Sequence, residues 1–375
     1  MSKSLIKYLV LSDIHLGHSK NPTDNIVNNL NKYFKDNHKL FKSLDVIFVA
    51  GDIFDKLLAT NSKQYLMVVE WLTILSNYCS NNNIKLRILE GTKSHDWQQA
   101  SVLNTVLNKI KLELDFKYID TLVIECLNDL DLNILYIPDE YNHNATDTYD
   151  EVLVRMKELN LTEVDIAIMH GQFHYQLPMI TLESSHDENN YNDIVKYHIS
   201  IGHIHRHSVN GKILAQGSFD RLVHGEEEPK GAMVVTINKI TNNTEWLFIP
   251  NKNAMTFKTL DYRKLVDHEV YSELDKLVKL LRPNSHIRIL VSNESLLAKN
   301  KHEIRNKYPM FNIEIQSKDQ KDQKEEHINL DDTVVINSFN ITKDNIMPLM
   351  EKELSKYDLT KKEMAVIDHE LRQVF

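Results

Sequence analysis

Cysteines and long apolar segments are nearly absent from the sequence. Two cysteines, Cys79 and Cys126, occur in 375 residues, with no short spacing between them. This argues against a disulfide framework and against a cysteine-based zinc site, and it makes a reducing cytoplasm the expected location. No apolar run approaches the ~18–20 residues that span a bilayer. Residues 1–7 have a lysine inside a short apolar stretch, unlike a signal peptide.

An excess of basic residues is missing as well. The chain has 44 Lys+Arg against 53 Asp+Glu, a net charge of -9, which argues against a large basic surface for nucleic acid. The whole excess of acid lies in residues 1–250, because residues 251–375 hold 21 residues of each sign. A cation site built from several carboxylates would contribute to such an acidic half, and so would a plain acidic domain.

Short apolar runs followed by polar clusters recur through the first 250 residues. Six such runs predict strands, at residues 8–11, 46–49, 86–89, 134–137, 166–169 and 199–201. Helix-like stretches at 62–78 and 150–159 lie between some of them, so the order is that of an α/β fold, in which chemistry gathers on loops beyond the strand ends. Three later runs, at 212–215, 233–237 and 246–249, predict strands added antiparallel to a sheet.

The character of the sequence changes after Pro250. Residues 251–316, with 340 as an outer limit, predict a small α+β unit, and the polar residues 317–332 predict a linker or loop. Residues 341–375 carry two apolar stripes at helical spacing, which are Ile346, Met350 and Leu354, then Met364, Ile367 and Leu371. These two helices could pack on their own domain or dock on a partner, and both alternatives stay open.

The candidate functional residues lie directly after the predicted strands. Asp13 and His15 follow the first run two positions apart, so an extended chain presents both on one side. Gly51 allows a sharp turn after the second run. Asp52 is then presented at the same sheet edge as Asp13.

Histidines follow the later runs in the same way. His170 comes after residues 166–169, and His203 and His205 come after residues 199–201. Imidazole and carboxylate ligands together suit Mn²⁺, Fe²⁺ or Zn²⁺. Polar clusters in order at five strand ends are hard to explain as isolated surface residues, so we expect a metal site.

This set of side chains matches a site for two metal ions. Two ions about 3.5–4 Å apart can clamp both oxygens of an in-line phosphoryl displacement. The expected ligands are Asp13, His15 and His205 for one ion, His170 and His203 for the other, and Asp52 as a bridge between them. His95, in the stretch GTKSHD, is the expected histidine that binds no metal and protonates the departing oxygen.

The order D-x-H, G-D, H-G and G-H-x-H, with a histidine in between, resembles the calcineurin-like metallophosphoesterase superfamily. Within it, the chain is most similar to the SbcD-type nuclease subunits of bacteria and their archaeal, eukaryotic and phage counterparts. The similar stretches are SDIHLG at 12–17, GDIFD at 51–55, GHIH at 202–205, GSFDR at 217–221, GEE at 225–227 and KG at 230–231. The resemblance covers residues 5–250 well, and residues 251–315 and 340–375 more loosely.

The resemblance implies a four-layer α/β/β/α sandwich, a DNA-capping domain at 251–316 and a helical partner-binding segment at 341–375. It implies a DNA nuclease of recombination and repair that uses two divalent ions, most often Mn²⁺, with Fe²⁺, Zn²⁺ or Mg²⁺ as alternatives. It also implies two partners besides DNA. These are an SbcC-type coiled-coil ABC ATPase, which gates access to the DNA, and a second copy of the chain in a homodimer.

The stretch GTKSHD departs from this resemblance. Such nucleases usually have Gly-Asn-His-Asp or Gly-Asn-His-Glu, whose Asn ligates the second metal. Here Ser94 takes the place of that Asn, and Thr92 and Lys93 separate it from Gly91. Either Ser94 or a water completes the shell, or Asp96 reaches in, or the site is weak. If the amide is what is missing, Ser94→Asn should tighten the second metal.

Two other functions stay open. The same metals could act on a small phosphomonoester or a cyclic nucleotide, although the 125 residues after Pro250 have no evident use in that reaction. Alternatively, the chain could be a scaffold that binds DNA ends and an ATPase while its own site is idle. The metal content of the purified protein would separate the scaffold from the enzyme.

Overall fold

The strands carry most of the buried apolar residues. The computed structural model describes residues 3–142, 144–177 and 184–317. Its first ten strands are β1 (Leu5–Leu11), β2 (Val46–Ala50), β3 (Lys85–Leu89), β4 (Phe116–Ile119), β5 (Val123–Leu127), β6 (Leu132–Ile137), β7 (Val164–Gly171), β8 (Val195–His203), β9 (Ser208–Asn210) and β10 (Ile213–Ala215). The remaining five are β11 (Gly231–Asn238), β12 (Asn243–Pro250), β13 (Phe257–Asp261), β14 (His286–Val291) and β15 (Asn312–Ser317).

The helices lie between these strands and make the fold a mixed α/β one. In the described residues they are α1 (Thr23–Asp36), α2 (His38–Phe41), α3 (Lys63–Asn81), α4 (Lys93–Asp96), α5 (Val102–Ile110), α6 (Ala145–Glu158), α7 (Glu188–Ile194), α8 (Asp267–Leu277), α9 (Leu296–Lys299) and α10 (Lys301–Lys307). The predicted helix at 62–78 is confirmed as α3, which begins after Ser62 because its hydroxyl accepts a hydrogen bond from the Tyr65 N–H. The helix predicted at 150–159 is α6, and it begins earlier because Asn144 caps it.

Two six-stranded sheets organise the first 250 residues. Their strand orders are β12-β11-β1-β2-β3-β4 and β5-β6-β7-β8-β10-β9. β1 to β4 run parallel in the first sheet, and β6, β7 and β8 run parallel in the second. All six runs predicted as strands are confirmed, as β1, β2, β3, β6, β7 and β8.

Side chains of β1 alternate between two apolar cores. Tyr8 joins Tyr136 and Ile168 of the second sheet in a core between the two sheets. Leu9 and Leu11 point to the opposite face, where α1, α3 and α5 cover the first sheet. Helices α6 and α7 pack in the same way on the outer face of the second sheet. Burial on both faces explains why the predicted strands are continuous apolar runs instead of alternating ones.

One of the three later strands was predicted with the wrong direction. β11 is antiparallel to β1 and β12 is antiparallel to β11, as expected. β10 instead runs parallel to β8 and is antiparallel only to β9. The reason is that the chain turns twice after β8. It turns before β9, which runs opposite to β10, and again at Gly211, whose φ is +59°, so β10 runs in the same direction as β8.

The region after Pro250 also differs from its prediction. β13, β14 and β15 form a parallel sheet, with α8 between the first two and α9 and α10 between the last two. This is an α/β order and not the predicted α+β order, because each parallel pair needs a helical crossover. Val270, Leu274, Ile287, Ile289 and Ile304 give this region an apolar core of its own.

Several predictions fall on residues that the structure does not describe. The linker at 317–332, apart from Ser317 at the end of β15, lies outside the described residues, as do the outer limit at 340 and the helical segment at 341–375. Among the described residues, none of the helices has the length and apolar character needed to cross a membrane.

A histidine is buried in the core between the two sheets. His198 of β8 is fully buried and lies beside Tyr8, with ring centroids 6.0 Å apart. Its Nε2 lies 2.7 Å from the Ser200 hydroxyl, and its Nδ1 has no hydrogen-bond partner among the described residues. Burial lowers the pKa of His198 to about 3, so the fold holds this ring in its neutral form.

Acidification from pH 7 to pH 5 should therefore lower the free energy of unfolding, with His198 contributing about 2 kcal/mol. The unfolded chain binds the proton near pH 6.5, well before the folded protein does, so stability present above pH 6.5 is lost as the pH falls toward 3. Urea unfolding gives the change in the free energy of unfolding between pH 7 and pH 5. In His198→Gln this change should be smaller than in the wild type by about that amount. The exposed-site control His38→Gln should keep the wild-type difference, and an equal difference in His198→Gln would contradict the assignment.

Candidate metal centre

The predicted site residues meet at one edge of the two sheets. Asp13 and His15 follow β1, Asp52 follows β2, and His95 lies in α4 after β3. From the second sheet, β7 and β8 end at the site, and His205 follows β8 directly. Because these strands are parallel, their carboxyl ends converge on one edge. The structure thus brings together all seven residues from five strand ends.

The backbone at these positions is unusually constrained. Asp13, His15 and Asp52 have φ values of 50°, 52° and 52°, and His203 has a φ of 99°. Residues other than glycine rarely adopt such angles, and they persist where surrounding contacts impose them. Those contacts include the Ile14 N–H, which donates to the Asp52 carbonyl at 2.8 Å. Four candidate ligands therefore share a backbone conformation that contacts between the loops hold in place.

One group consists of Asp13, His15 and His205, whose ligand atoms all lie within 4.8 Å of one another. The Nε2 atoms of His15 and His205 are 3.0 Å apart. The other nitrogen of His15 lies 3.5 Å from Asp55 Oδ1. Asp13 is held in place because its Oδ1 accepts the His203 N–H at 2.9 Å. Two imidazoles and a buried carboxylate therefore converge on one point.

A second group consists of Asp52, His170 and His203, again within 4.8 Å. His170 Nδ1 donates to the Ala50 carbonyl at 2.7 Å, which leaves Nε2 to face Asp52 Oδ1 at 3.3 Å. Burial alone would lower the pKa of His170, but the charge of Asp52 outweighs burial and raises this pKa well above its usual value. The pocket therefore favours a positive charge between the ring and the carboxylate.

Asp52 joins the two groups. Its Oδ1 faces His170, whereas its Oδ2 lies 3.7 Å from His15 Nε2 and 2.9 Å from His95 Nδ1. Burial alone would raise the pKa of Asp52, but the surrounding imidazoles, His170 above all, hold it well below its usual range. One ionised carboxylate thus offers an oxygen to each group, the geometry that a bridging ligand requires.

His95 contacts the shared carboxylate and one outer ligand, since His15, Asp52 and His95 also have ligand atoms within 4.8 Å of one another. Its Nδ1 is the atom 2.9 Å from Asp52 Oδ2, and its ring meets that of His15 edge-on at 5.0 Å. Burial alone would lower the pKa of His95, but its hydrogen bond to Asp52 raises it. This histidine therefore carries a proton more readily than an isolated one.

Ser94 and Asp96, the alternative ligands in GTKSHD, do not join these groups in the described structure. Ser94 is exposed, and its carbonyl accepts a hydrogen bond from the Trp97 indole at 2.8 Å. Asp96 is buried, and its two oxygens accept the N–H groups of Asp52, Phe54 and Gly91 at 2.8–3.0 Å. Burial and the nearby Asp52 carboxylate raise the pKa of Asp96 to about 8. Asp96 thus links the loop after β2 to the loop after β3 by hydrogen bonds.

Two residues beside the second group were missed by the sequence analysis. The Thr92 N–H donates to Asp52 Oδ1 at 2.7 Å, and the Thr92 hydroxyl donates to Asp139 Oδ2 at 2.9 Å. Asp139 Oδ2 in turn lies 3.6 Å from His203 Nδ1. Asp139 follows β6 as the predicted ligands follow their strands, so its position was the signal that could have revealed it.

A third missed residue, Glu226, holds His205. Glu226 Oε1 lies 2.7 Å from His205 Nδ1, and its Oε2 accepts the Leu222 N–H at 2.8 Å. The buried ammonium group of Lys230 lies 3.6 Å from Oε2 and donates to the His205 carbonyl at 2.9 Å. Burial alone would raise the pKa of Glu226, but His205 and Lys230 lower it to about 2. An ionised carboxylate on Nδ1 directs Nε2 of this ring toward the first group as a ligand atom.

The donor set fits divalent metal ions. Both groups combine imidazole nitrogen with carboxylate oxygen, the mixture that suits Mn²⁺, Fe²⁺ or Zn²⁺. The Nε2 atom of His170 is buried and lies 3.3 Å from Asp52 Oδ1 without a well-formed hydrogen bond among the described residues, so both atoms are available to one cation.

Comparisons with known proteins do not name a family for this chain. No family model and no curated protein matches it. One crystal structure is 10% identical over 65% of this chain and 99% of its own, with a TM-score of 0.40. Another, the crystal structure of TT1561 of Thermus thermophilus, is 11% identical over the same shares, with a TM-score of 0.36. Because both TM-scores are below 0.5, neither structure carries an argument about this chain.

Replacing Asp96 should destabilise the fold. Asp96→Ala leaves three buried N–H groups without an acceptor, each costing about 1–3 kcal/mol. We expect a loss of at least about 3 kcal/mol in the free energy of unfolding, measured by urea denaturation in the presence of a chelator. Ser94→Ala is the matched control and should change stability by less than about 0.5 kcal/mol. A small effect of Asp96→Ala would show that the three N–H groups find other partners.

Removing the carboxylate behind His205 should weaken metal binding without removing a ligand. Glu226→Ala is expected to reduce Mn²⁺ affinity by about 10- to 100-fold, because His205 loses the partner that fixes its ring. Isothermal titration calorimetry would measure this change. Glu227→Ala is the neighbouring control, since Glu227 pairs with Lys258 and not with the site. Equal affinities in the two variants would rule out the positioning role.

Proposed function

We propose that this chain is a metal-dependent phosphodiesterase that cleaves DNA, of the SbcD type within the calcineurin-like metallophosphoesterases. The observation that carries the proposal is the pair of ligand groups that share Asp52. They have the order along the chain, the residue types and the bridging carboxylate expected of a two-metal site for phosphoryl displacement.

The proposal includes the four-layer α/β/β/α sandwich. The three cores of residues 5–250 support it, because helices cover the outer face of each sheet while the inner faces share one core. In such an arrangement the carboxyl ends of parallel strands from both inner layers can contribute ligands to one site. His170 and His203 from the second sheet, facing Asp52 from the first, are consistent with it.

Two bound divalent ions, Mn²⁺ foremost and Fe²⁺, Zn²⁺ or Mg²⁺ as alternatives, would supply an activated water and a clamp for the phosphodiester oxygens. Asp13, His15 and His205 would hold one ion, and His170 and His203 the other, with Asp52 shared. Burial alone would lower the pKa of His95, but the hydrogen bond to Asp52 raises it, which favours the protonated ring. With Nδ1 engaged by Asp52, the Nε2 atom of His95 is the one that remains to protonate the leaving oxygen.

A DNA substrate is favoured by the segment that links the site to the region after Pro250. Glu226, next to His205, belongs to the stretch 217–231 that resembles the nuclease subunits. Within the same stretch Asp220 accepts the Met255 N–H at 2.6 Å, and Arg221 donates to the Met255 carbonyl at 3.1 Å. The segment that contains Glu226 is therefore bonded to Met255, just before the third sheet, where a DNA-capping domain is expected. The hydrolysis of a small phosphoester would not require such a domain.

The partners follow from the same proposal. An SbcC-type coiled-coil ABC ATPase would bind residues 341–375 and gate access of DNA to the site, and two copies of the chain would form a homodimer. The roles of residues 251–316 as a capping domain and of the cytoplasm as location stay predictions. A small-phosphoester hydrolase and an inactive scaffold are the alternatives to be separated by experiment.

Replacing His95 should abolish hydrolysis while metal stays bound. We expect His95→Ala to lower the rate of Mn²⁺-dependent cleavage of linear duplex and single-stranded DNA by about 10²- to 10⁴-fold, the usual contribution of a general acid. The metal content should remain that of the wild type, because the outer ligands are intact. His38→Ala, at an exposed position, is the control for a histidine outside the site.

Other results would overturn the proposal. If the wild type with Mn²⁺, alone and with its ATPase partner, leaves DNA intact but turns over p-nitrophenyl esters, the chain is a small-phosphoester hydrolase. If it carries no metal and cleaves neither substrate, the result supports the alternative in which the chain is an inactive scaffold. An active His95→Ala variant would remove the acid role from His95.

A further inference from the structure

The second ligand group is poorer in donors than the first. Asp52, His170 and His203 converge there. The first group has three ligand residues of its own, Asp13, His15 and His205, besides Asp52, whose Oδ2 lies 3.7 Å from His15 Nε2. The resemblance leads one to expect an amide oxygen as a further ligand in the second group, and Ser94 is exposed. Some other group must complete the second site if it is to hold a divalent ion as firmly as the first.

Asp139 lies where such a group is needed. Its Oδ2 is 3.6 Å from His203 Nδ1, too far for a hydrogen bond, and its carboxylate is only 14% exposed. Its other oxygen accepts the Glu140 N–H at 2.9 Å, which orients the carboxylate. The carboxylate faces a ligand nitrogen without bonding to it.

The hydroxyl of Thr92 lies among the ligand atoms. It donates to Asp139 Oδ2 at 2.9 Å and is 3.4 Å from both Asp52 Oδ2 and His203 Nδ1. One hydroxyl proton can serve only one of these acceptors, and the shortest contact is the one to Asp139. Thr92 is thus the residue of GTKSHD that faces the second group, and its hydroxyl aims the carboxylate of Asp139 toward it.

An independent observation indicates that this group awaits a cation. His170 is fully buried, and its Nε2 makes no hydrogen bond within the described residues. Thr92, Asp139 and His203 also line a cavity of about 670 Å³, so a hydrated ion has a way in. Imidazole nitrogens of His170 and His203 and the carboxylates of Asp52 and Asp139, beside this cavity, are the donor set of a divalent-cation site.

We infer that Asp139 is a ligand of the divalent ion at the Asp52, His170 and His203 group, and that Thr92 positions it in place of the expected amide. This inference rests on the proposed metal-dependent function and deepens it. A carboxylate instead of a neutral amide adds one negative charge to the second site. The second site should then favour oxygen-preferring ions such as Mn²⁺ more than an amide-bearing site would.

Mn²⁺ binding by the full chain tests the inference directly. Isothermal titration calorimetry and metal analysis should find two Mn²⁺ ions per wild-type chain, and electron paramagnetic resonance should show a spin-coupled pair. In Asp139→Ala we expect the weaker step to lose about 10- to 100-fold in affinity and the coupled signal to be replaced by that of a single ion. Glu140→Gln, at the adjacent exposed carboxylate, is the matched control and should bind two ions as the wild type does.

Variants of GTKSHD test the positioning role. Thr92→Val should weaken the same step and Thr92→Ser should restore it, because only the hydroxyl is needed. Ser94→Asn should leave both steps unchanged, contrary to the expectation from sequence. Unfolding midpoints measured with a chelator should match the wild type in the Asp139 and Thr92 variants, which excludes misfolding as the cause of weaker binding.

The outcomes separate this inference from the proposed function. If the wild type binds two ions and cleaves DNA, but Asp139→Ala binds both ions equally well, the inference is wrong and the proposed function stands. If the wild type binds none of Mn²⁺, Fe²⁺, Zn²⁺ and Mg²⁺, both are wrong. Should Ser94→Asn tighten the second ion while Asp139→Ala has no effect, the missing ligand belongs at position 94.

Discussion

A buried carboxylate that must stay ionised is the constraint on which the site depends. Asp52 is 1% exposed, and a charge removed from water to that extent is costly unless other groups compensate it. His15, His95 and His170 surround its two oxygens, and the Thr92 N–H donates to one of them. These groups come from three segments of the chain, with His15 after β1, Thr92 and His95 after β3, and His170 at the end of β7. The charge of Asp52 is therefore stabilised only when these segments come together in the folded protein.

Asp96 is a second buried carboxylate beside Asp52, and its surroundings differ. It is equally buried, but it meets backbone N–H groups instead of imidazoles. Burial, with repulsion by the Asp52 carboxylate, therefore raises its pKa to about 8. One carboxylate is thus kept charged as a potential ligand, and the other serves as a fastening between the loops after β2 and β3. The two acidic residues have the same side chain, and their neighbours alone decide which of them can bind a cation.

The sequence predicted the strands and most of the site because both follow from simple rules. Asp13, Asp52 and His170 each end an apolar run, and parallel strands bring such ends together. The sequence left the role of Ser94 open. In the structure its segment turns as α4, which leaves Ser94 exposed while His95 faces Asp52.

The missed residues had weaker signals. Glu226 is 21 positions from His205, and no periodic pattern links two residues so far apart. Asp139 follows a strand as the predicted ligands do, but a lone aspartate at a strand end is a common feature and carries no signal without its neighbours in space. The direction of β10 and the order of elements after Pro250 depended on turns and crossovers that apolar patterns do not reveal.

The division of ligands between two sheets has a thermodynamic consequence. His203 of the second sheet donates through its N–H to Asp13 of the first, and His170 donates to the Ala50 carbonyl across the same junction. Any cation bound by Asp52 together with His170 and His203 would add a bond of the same kind between the sheets. Since the unfolded chain lacks this arrangement, the ion's binding free energy becomes folding free energy. The melting temperature of such a protein should then rise with the concentration of the free ion, because the bound ion would hold the two sheets together.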